Sequence, residues 1–179
     1  EASYKLSTVE QKIILFLAST IKSDDEDFKS YPIKLRNFQS FIGNSSVHYA
    51  RIEDMILSLK EKNLKIVYPN NQGQKVILNV SWLSSSEYVE GSGVVSLCFD
   101  PKLKPFLLQL KTRFTNYRLQ NVVQLRSQFS IRIYELLKQY EKLGQRLFNV
   151  SDLRSILGVE DGQYKLYADF KRKVILIAQ

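Results

Sequence analysis

Two runs with a two-residue apolar period, Leu64 to Tyr68 and Lys75 to Trp82, flank the segment Asn70-Asn71-Gln72-Gly73. Residues that tolerate positive φ fill that gap, so the chain doubles back here as a β-hairpin. Just upstream, Ile52, Met55, Ile56 and Leu59 recur at i, i+3, i+4 and i+7, the stripe of a helix with one buried side. That helix is expected from Val47 to about Lys62, capped by Ser45 or Ser46 after a stop at Gly43-Asn44. A helix over Leu35 to Ile42 precedes it. Before that lies an extended piece, Phe28 to Ile33, held by Tyr31-Pro32. The first helix opens with Ser7-Thr8-Val9-Glu10, a capping box, and runs to about Ile21. Helix, strand, helix, helix and then hairpin is the order of a winged helix.

Val94 to Phe99 reads as a further strand, after a polar loop of serines with Gly91 and Gly93. Asp100-Pro101 opens a new helical region, with Pro101 suited to a first turn. Thr115 caps a helix carrying Leu119, Val122, Val123 and Leu125. The pattern restarts near Ser127 to Ser130, which places a domain boundary after residue 126. A strongly apolar helix follows from Ile131 through Leu136, Leu137 and Tyr140 to Leu143-Gly144. Then come a short strand at Leu147-Phe148-Asn149, a brief helix from Ser151 to Leu157, and a stop at Gly158. After the turn Glu160-Asp161-Gly162 a last helix runs from Tyr164, with Leu166, Phe170 and Val174 as its buried stripe. This second unit, 127–179, repeats the element order of the first, 1–126.

Charge is divided unevenly along the chain. Residues 1–100 hold 11 Lys+Arg against 12 Asp+Glu, a net −1, whereas residues 101–179 hold 15 against 6, a net +9. A polyanionic partner is expected at the second half. The lone Cys98 sits in an apolar strand pattern and reads as a core thiol in a reducing, cytoplasmic setting. Nothing resembles a signal peptide or reaches the roughly 18 apolar residues of a membrane span.

Catalytic constellations are thin. His48 is the only histidine and no cysteine cluster stands in for metal ligands, so neither metal nor cofactor is expected. No Walker-type glycine loop occurs, and Glu53-Asp54 and Glu160-Asp161 read as solvated charge. The expectation is a binding protein, not an enzyme. The last helix carries the binding chemistry: Tyr164, Lys165, Tyr167, Lys171, Arg172 and Lys173 interleave aromatic and basic side chains. A helix with a short apolar seam and a basic outer face fits a major groove about 12 Å wide. Arg172 is placed to meet a guanine edge, and Lys171 and Lys173 to meet phosphates. The preceding short helix brings Ser151 and Arg154 to the backbone.

The run Phe114-Thr115-Asn116-Tyr117-Arg118-Leu119, then Ser130-Ile131-Arg132-Ile133-Tyr134-Glu135-Leu136-Leu137, then Leu153-Arg154-Ser155-Ile156-Leu157-Gly158 and Asp169-Phe170-Lys171-Arg172, resembles the iteron-binding plasmid replication initiators. Leu6-Ser7-Thr8-Val9-Glu10-Gln11-Lys12 is similar to the family's opening helix. The resemblance implies an α+β chain of two tandem winged-helix domains, the second stopping before its wing at Gln179. It implies binding of double-stranded origin repeats by a monomer, and repression of its own gene by a homodimer in equilibrium with that monomer. Host replication proteins are implied as further partners. His48 and Arg51 become the first domain's exposed DNA candidates. A dimerisation module, or a two-domain repressor without an initiation role, remains the alternative.

Overall fold

A computed structural model describes residues 2–22, 25–42, 49–107 and 119–178. The expected stop at Gly43-Asn44, the caps at Ser45, Ser46 and Thr115, and the candidate His48 lie outside the described residues.

The element order is β1 (Ala2–Ser3), α1 (Thr8–Thr20), β2 (Tyr31–Lys34), α2 (Leu35–Ile42), α3 (Tyr49–Glu61), β3 (Asn63–Pro69), β4 (Lys75–Ser81), β5 (Leu83–Val89), β6 (Val94–Phe99), α4 (Lys104–Leu107), α5 (Leu119–Val123), α6 (Gln128–Lys138), α7 (Val150–Ile156) and α8 (Tyr167–Phe170). One sheet has the order β1-β3-β4 and the other β2-β6-β5, with antiparallel neighbours throughout.

The capping box forms. Ser7 Oγ accepts from the Glu10 amide at 3.3 Å, and Glu10 Oε2 accepts from the Ser7 amide at 2.7 Å. Glu10 does more than cap. It also accepts from Ser58 Oγ at 3.0 Å and from Lys62 Nζ at 2.7 and 2.8 Å, tying the start of α1 to the end of α3. Burial opposes its charge, but the Lys62 ammonium and the Ser7 amide outweigh burial, so the carboxyl titrates below its ordinary value.

The β3–β4 hairpin pairs Asn63 with Ser81 through to Pro69 with Lys75. Its turn is organised by Asn70, whose Oδ1 accepts from the amides of Gln72 and Gln74, with Gly73 at φ 76°. Ile52, Ile56 and Leu59 of α3 are buried as their spacing requires, in a core shared with Leu6, Ile13 and Leu17, Tyr31 and Ile33, Leu97 and Phe99.

Four expectations need correction. Leu83–Val89 is a strand rather than part of a polar loop, and it pairs with β6 up to Val89↔Val94. It lies at a sheet edge, where serines suffice on the open side and the apolar alternation is too thin to read. Leu147-Phe148-Asn149 pairs with no strand among the described residues. The strongly apolar helix ends at Lys138; a separate 3-10 turn, Glu141–Leu143, then closes on Gly144 at φ 71°. Cys98, expected in the core, is half-buried, since the inward side of β6 is taken by Val95, Leu97 and Phe99.

A smaller core of Phe129, Leu136, Leu153, Leu157, Phe170 and Val174 holds the C-terminal helices. The two cores meet along α6. Ile131 packs with Val122 of α5 and Leu15 of α1. Around this seam Tyr4 stands edge-on to Trp82, with ring centroids 5.0 Å apart, and under the Arg132 guanidinium at 4.8 Å. Its hydroxyl donates to Glu135 Oε2 at 3.3 Å, and Arg132 Nη1 reaches the same oxygen at 3.1 Å. Burial raises the pKa of both the Tyr4 hydroxyl and the Glu135 carboxyl. Lys12, whose pKa burial lowers, donates to Val123 O at 2.8 Å.

Candidate DNA interface

The C-terminal unit presents α7, a turn and α8 in the sense of a helix-turn-helix. Asn149 caps α7: its Oδ1 accepts from the Ser151 amide at 3.0 Å and from the Ser151 hydroxyl at 2.8 Å. Ser151 is therefore exposed, with its hydroxyl proton already committed to the cap. Helix α7 ends in an αL residue, Gly158 at φ 65°. A Cβ there would fall 2.7 Å from the Tyr4 carbonyl oxygen, so only glycine lets the two segments approach.

The connecting turn contains Gly162 at φ 88° and Tyr164 at φ 50°, the one non-glycine residue with positive φ among those described. Arg154 holds this turn. Its Nη1 donates to Tyr164 O at 2.9 Å, its Nη2 donates to Gln163 O, and its guanidinium lies 5.1 Å from the Phe170 ring centroid. Expected to face a phosphate, Arg154 instead faces inward and fixes where the next helix begins.

That start differs from the expectation. With Tyr164 left-handed and Leu166 extended at the cap, α8 begins at Tyr167. It continues without a break as a π turn, Lys171–Ile175, and a 3-10 turn, Leu176–Ala178. Phe170 and Val174 are buried as expected, but Leu166 is 68% exposed because it precedes the helix.

The other side of this helix is open and basic. Lys171, Arg172 and Lys173 are exposed on it, as is Tyr167, and Lys165 is exposed just before its start. Arg172 Nη2 donates to Asp169 Oδ1 at 3.0 Å, an i,i+3 pair that leaves the rest of its guanidinium in solvent. Lys173 Nζ is 5.6 Å from the Tyr164 ring centroid, and Tyr164 itself packs edge-on against Phe129. Elsewhere in this unit the arginines and Lys138 are engaged by neighbouring groups, while Lys142 is exposed. Arg132 pairs with Glu135, Lys138 with Glu141, and Arg146 is sandwiched 4.3 Å from both Tyr140 and Phe148 while donating to Leu136 O. Outward positive charge is thus densest at this helix, with three consecutive exposed cations at Lys171, Arg172 and Lys173.

In the N-terminal unit Arg51 is exposed on α3, but so are Glu53, Asp54 and Glu61. At about 100° per residue Arg51 and Glu53 point to opposite sides of that helix. Among the described residues no group of His, Cys, Asp and Glu could hold a metal ion, and no helix is long and apolar enough to cross a membrane.

Residues 1–138 match the family described as initiator replication protein, WH1, and residues 149–179 match initiator Rep protein, WH2. The chain belongs to the replication initiator protein family. It is built, as the family is, from two winged-helix domains, and its kind is the DNA-binding initiator. An uncharacterised 27.6 kDa protein of Escherichia coli is 24% identical over 98% of this chain and 77% of its own length. The PI protein of Escherichia coli is 25% identical over 79% of this chain, which spans half of that protein. Among solved structures, the Pi initiator protein in complex with iteron DNA superposes with a TM-score of 0.74 at 18% identity, covering 97% of this chain and 78% of that one. The fold of this initiator is therefore that of a protein crystallised on repeated DNA.

Proposed function

We propose that this initiator reads repeated double-stranded DNA in a plasmid origin chiefly through the helix beginning at Tyr167, and acts by binding rather than catalysis. The observation that carries this is the concentration of outward cations on that helix, beside a unit whose other arginines are bound internally. Arg172 approaches a base edge, Lys171 and Lys173 neutralise phosphates, and Lys165, Tyr164 and Tyr167 line the approach. Ser151 sits at the backbone side of α7, and Arg154 positions the reading helix without touching DNA. In the first domain Arg51 and His48 supply secondary contacts. The division after residue 126 gives α6 to the second domain, in keeping with Phe129 and Leu136 in its core. The proposal is completed by monomers on the repeats, a dimer that represses the initiator's own gene, and host replication proteins joining at the origin; the resemblance to the family supports these roles.

The test is fluorescence anisotropy on the repeats against shuffled DNA across a salt series. Arg172→Ala weakens repeat binding by about 1–3 kcal/mol and relaxes one position, while Lys171→Ala weakens all sequences alike and lowers the salt slope by about 1. Equal affinity for repeats and shuffled DNA at every salt concentration refutes the reading.

A further inference from the structure

The first domain holds a surface with the opposite character. Leu57 of α3 and Tyr88 of β5 stand half in solvent across a groove of about 420 Å³, floored by Ile56 and Val95. Its rim carries two carboxylates, Glu53 from α3 and Glu90 from the tip of the β5–β6 hairpin. Both are exposed, and neither is ion-paired with any described residue. Glu87, also exposed, lies on the same hairpin. This is the cleft between α3 and the β5–β6 hairpin. Phosphates near it would meet carboxylates, and residues 1–100 as a whole carry a net −1.

We propose that the α3–β5 cleft is a docking site for a basic, apolar-patterned segment of a partner protein. The chemistry fits at each point. Leu57, Tyr88 and the floor of Ile56 and Val95 offer apolar surface to a peptide's apolar side chains. Glu53 and Glu90 stand at its margin, where they pair with Lys or Arg without being desolvated. Strand β5 is the last of its sheet, so an extended segment beside it finds main-chain groups to pair with. The charge selects a cationic segment over nucleic acid. Arg51 points away from this side, so DNA contact at the start of α3 and peptide docking in the cleft are compatible. The inference does not depend on the DNA-reading role of the C-terminal helix.

The experiment selects a phage-displayed library of random short peptides on the 179-residue chain, then measures the enriched peptide by fluorescence anisotropy. Enriched sequences are expected to combine Lys or Arg with Leu, Ile or Phe. Glu53→Gln with Glu90→Gln removes two rim ion pairs and weakens the peptide roughly tenfold, at about 0.5–1 kcal/mol each. Leu57→Ala weakens it independently, and the Gln pair alone decides the matter if that variant fails to fold. Affinity for repeat DNA and the mass by light scattering stay unchanged in the Gln variant. No enrichment, enrichment without basic residues, or unchanged peptide affinity in the Gln variant overturns the proposal. A rise in DNA affinity assigns the cleft to the duplex, and a change in mass assigns it to a second copy; either result also overturns it.

Discussion

Replacing Arg154 by Met removes the clamp on the turn before the reading helix while keeping an apolar stem beside Phe170. Two hydrogen bonds from a charged donor to the carbonyls of Tyr164 and Gln163 are lost, together with the stacking at 5.1 Å. Such hydrogen bonds are worth roughly 1.5–3 kcal/mol each when sequestered. Arg154 is half-buried, which discounts that figure toward its lower end. The expected cost to the C-terminal unit is therefore about 2–3 kcal/mol, read by urea unfolding followed through tyrosine fluorescence. The loss does not act through charge at the duplex. A released turn lets α8 wander, so affinity for repeat DNA falls at every salt concentration while the slope of log K against log salt stays put. A phosphate contact behaves oppositely: removing it lowers the slope by about 0.9 and leaves folding alone. A reduced slope with unchanged stability in Arg154→Met refutes the clamp.

Glu10→Gln keeps the shape of the capping box but removes the charge that holds Lys62, costing about 1–2 kcal/mol at neutral pH. Because the folded carboxyl titrates below its ordinary 4.5, the gap between wild type and variant is present above that pH and closes as pH falls through the folded value; a constant gap down to acidic pH refutes it. Gly158→Ala forces a Cβ to within 2.7 Å of the Tyr4 carbonyl at a left-handed φ, and destabilises by about 1–3 kcal/mol from the backbone strain alone, read by thermal denaturation. Tyr4→Phe leaves the Glu135 carboxyl without its hydroxyl donor and costs about 1–2 kcal/mol, whereas an unchanged melting temperature would mean the seam tolerates the loss.

What was legible in the sequence was local chemistry. The Ser7–Glu10 box, the Asn70–Gly73 turn and the Ile52–Leu59 stripe each declare themselves within a few residues, and each forms. The buried Phe170 and Val174 were legible for the same reason. The start of the last helix was not, because nothing local marks Tyr164 as left-handed; Arg154, ten residues upstream, holds the turn in which it lies. Strand β5 was hidden because an edge strand of serines lacks the apolar alternation that reveals an inner one. With β5 read as a loop, the acidic cleft it forms with α3 could not be seen. The exposed cations themselves were readable, but which arginines face inward depended on partners farther along the chain, such as Tyr4 for Arg132, the Leu136 carbonyl for Arg146 and Phe170 for Arg154.

The cores are unequal: among the described residues 21 buried ones gather around α1 and α3, and six gather around α8. A core of six gives the reading half little cohesion of its own, and its fit against Tyr4, Leu15 and Val122 makes up part of the difference. In a genetic screen for loss of origin function, substitutions at Tyr4 or Leu15 would then score as DNA-binding defects though neither lies on the reading helix. Second-site suppressors of such alleles should arise on α6, and not on the basic surface.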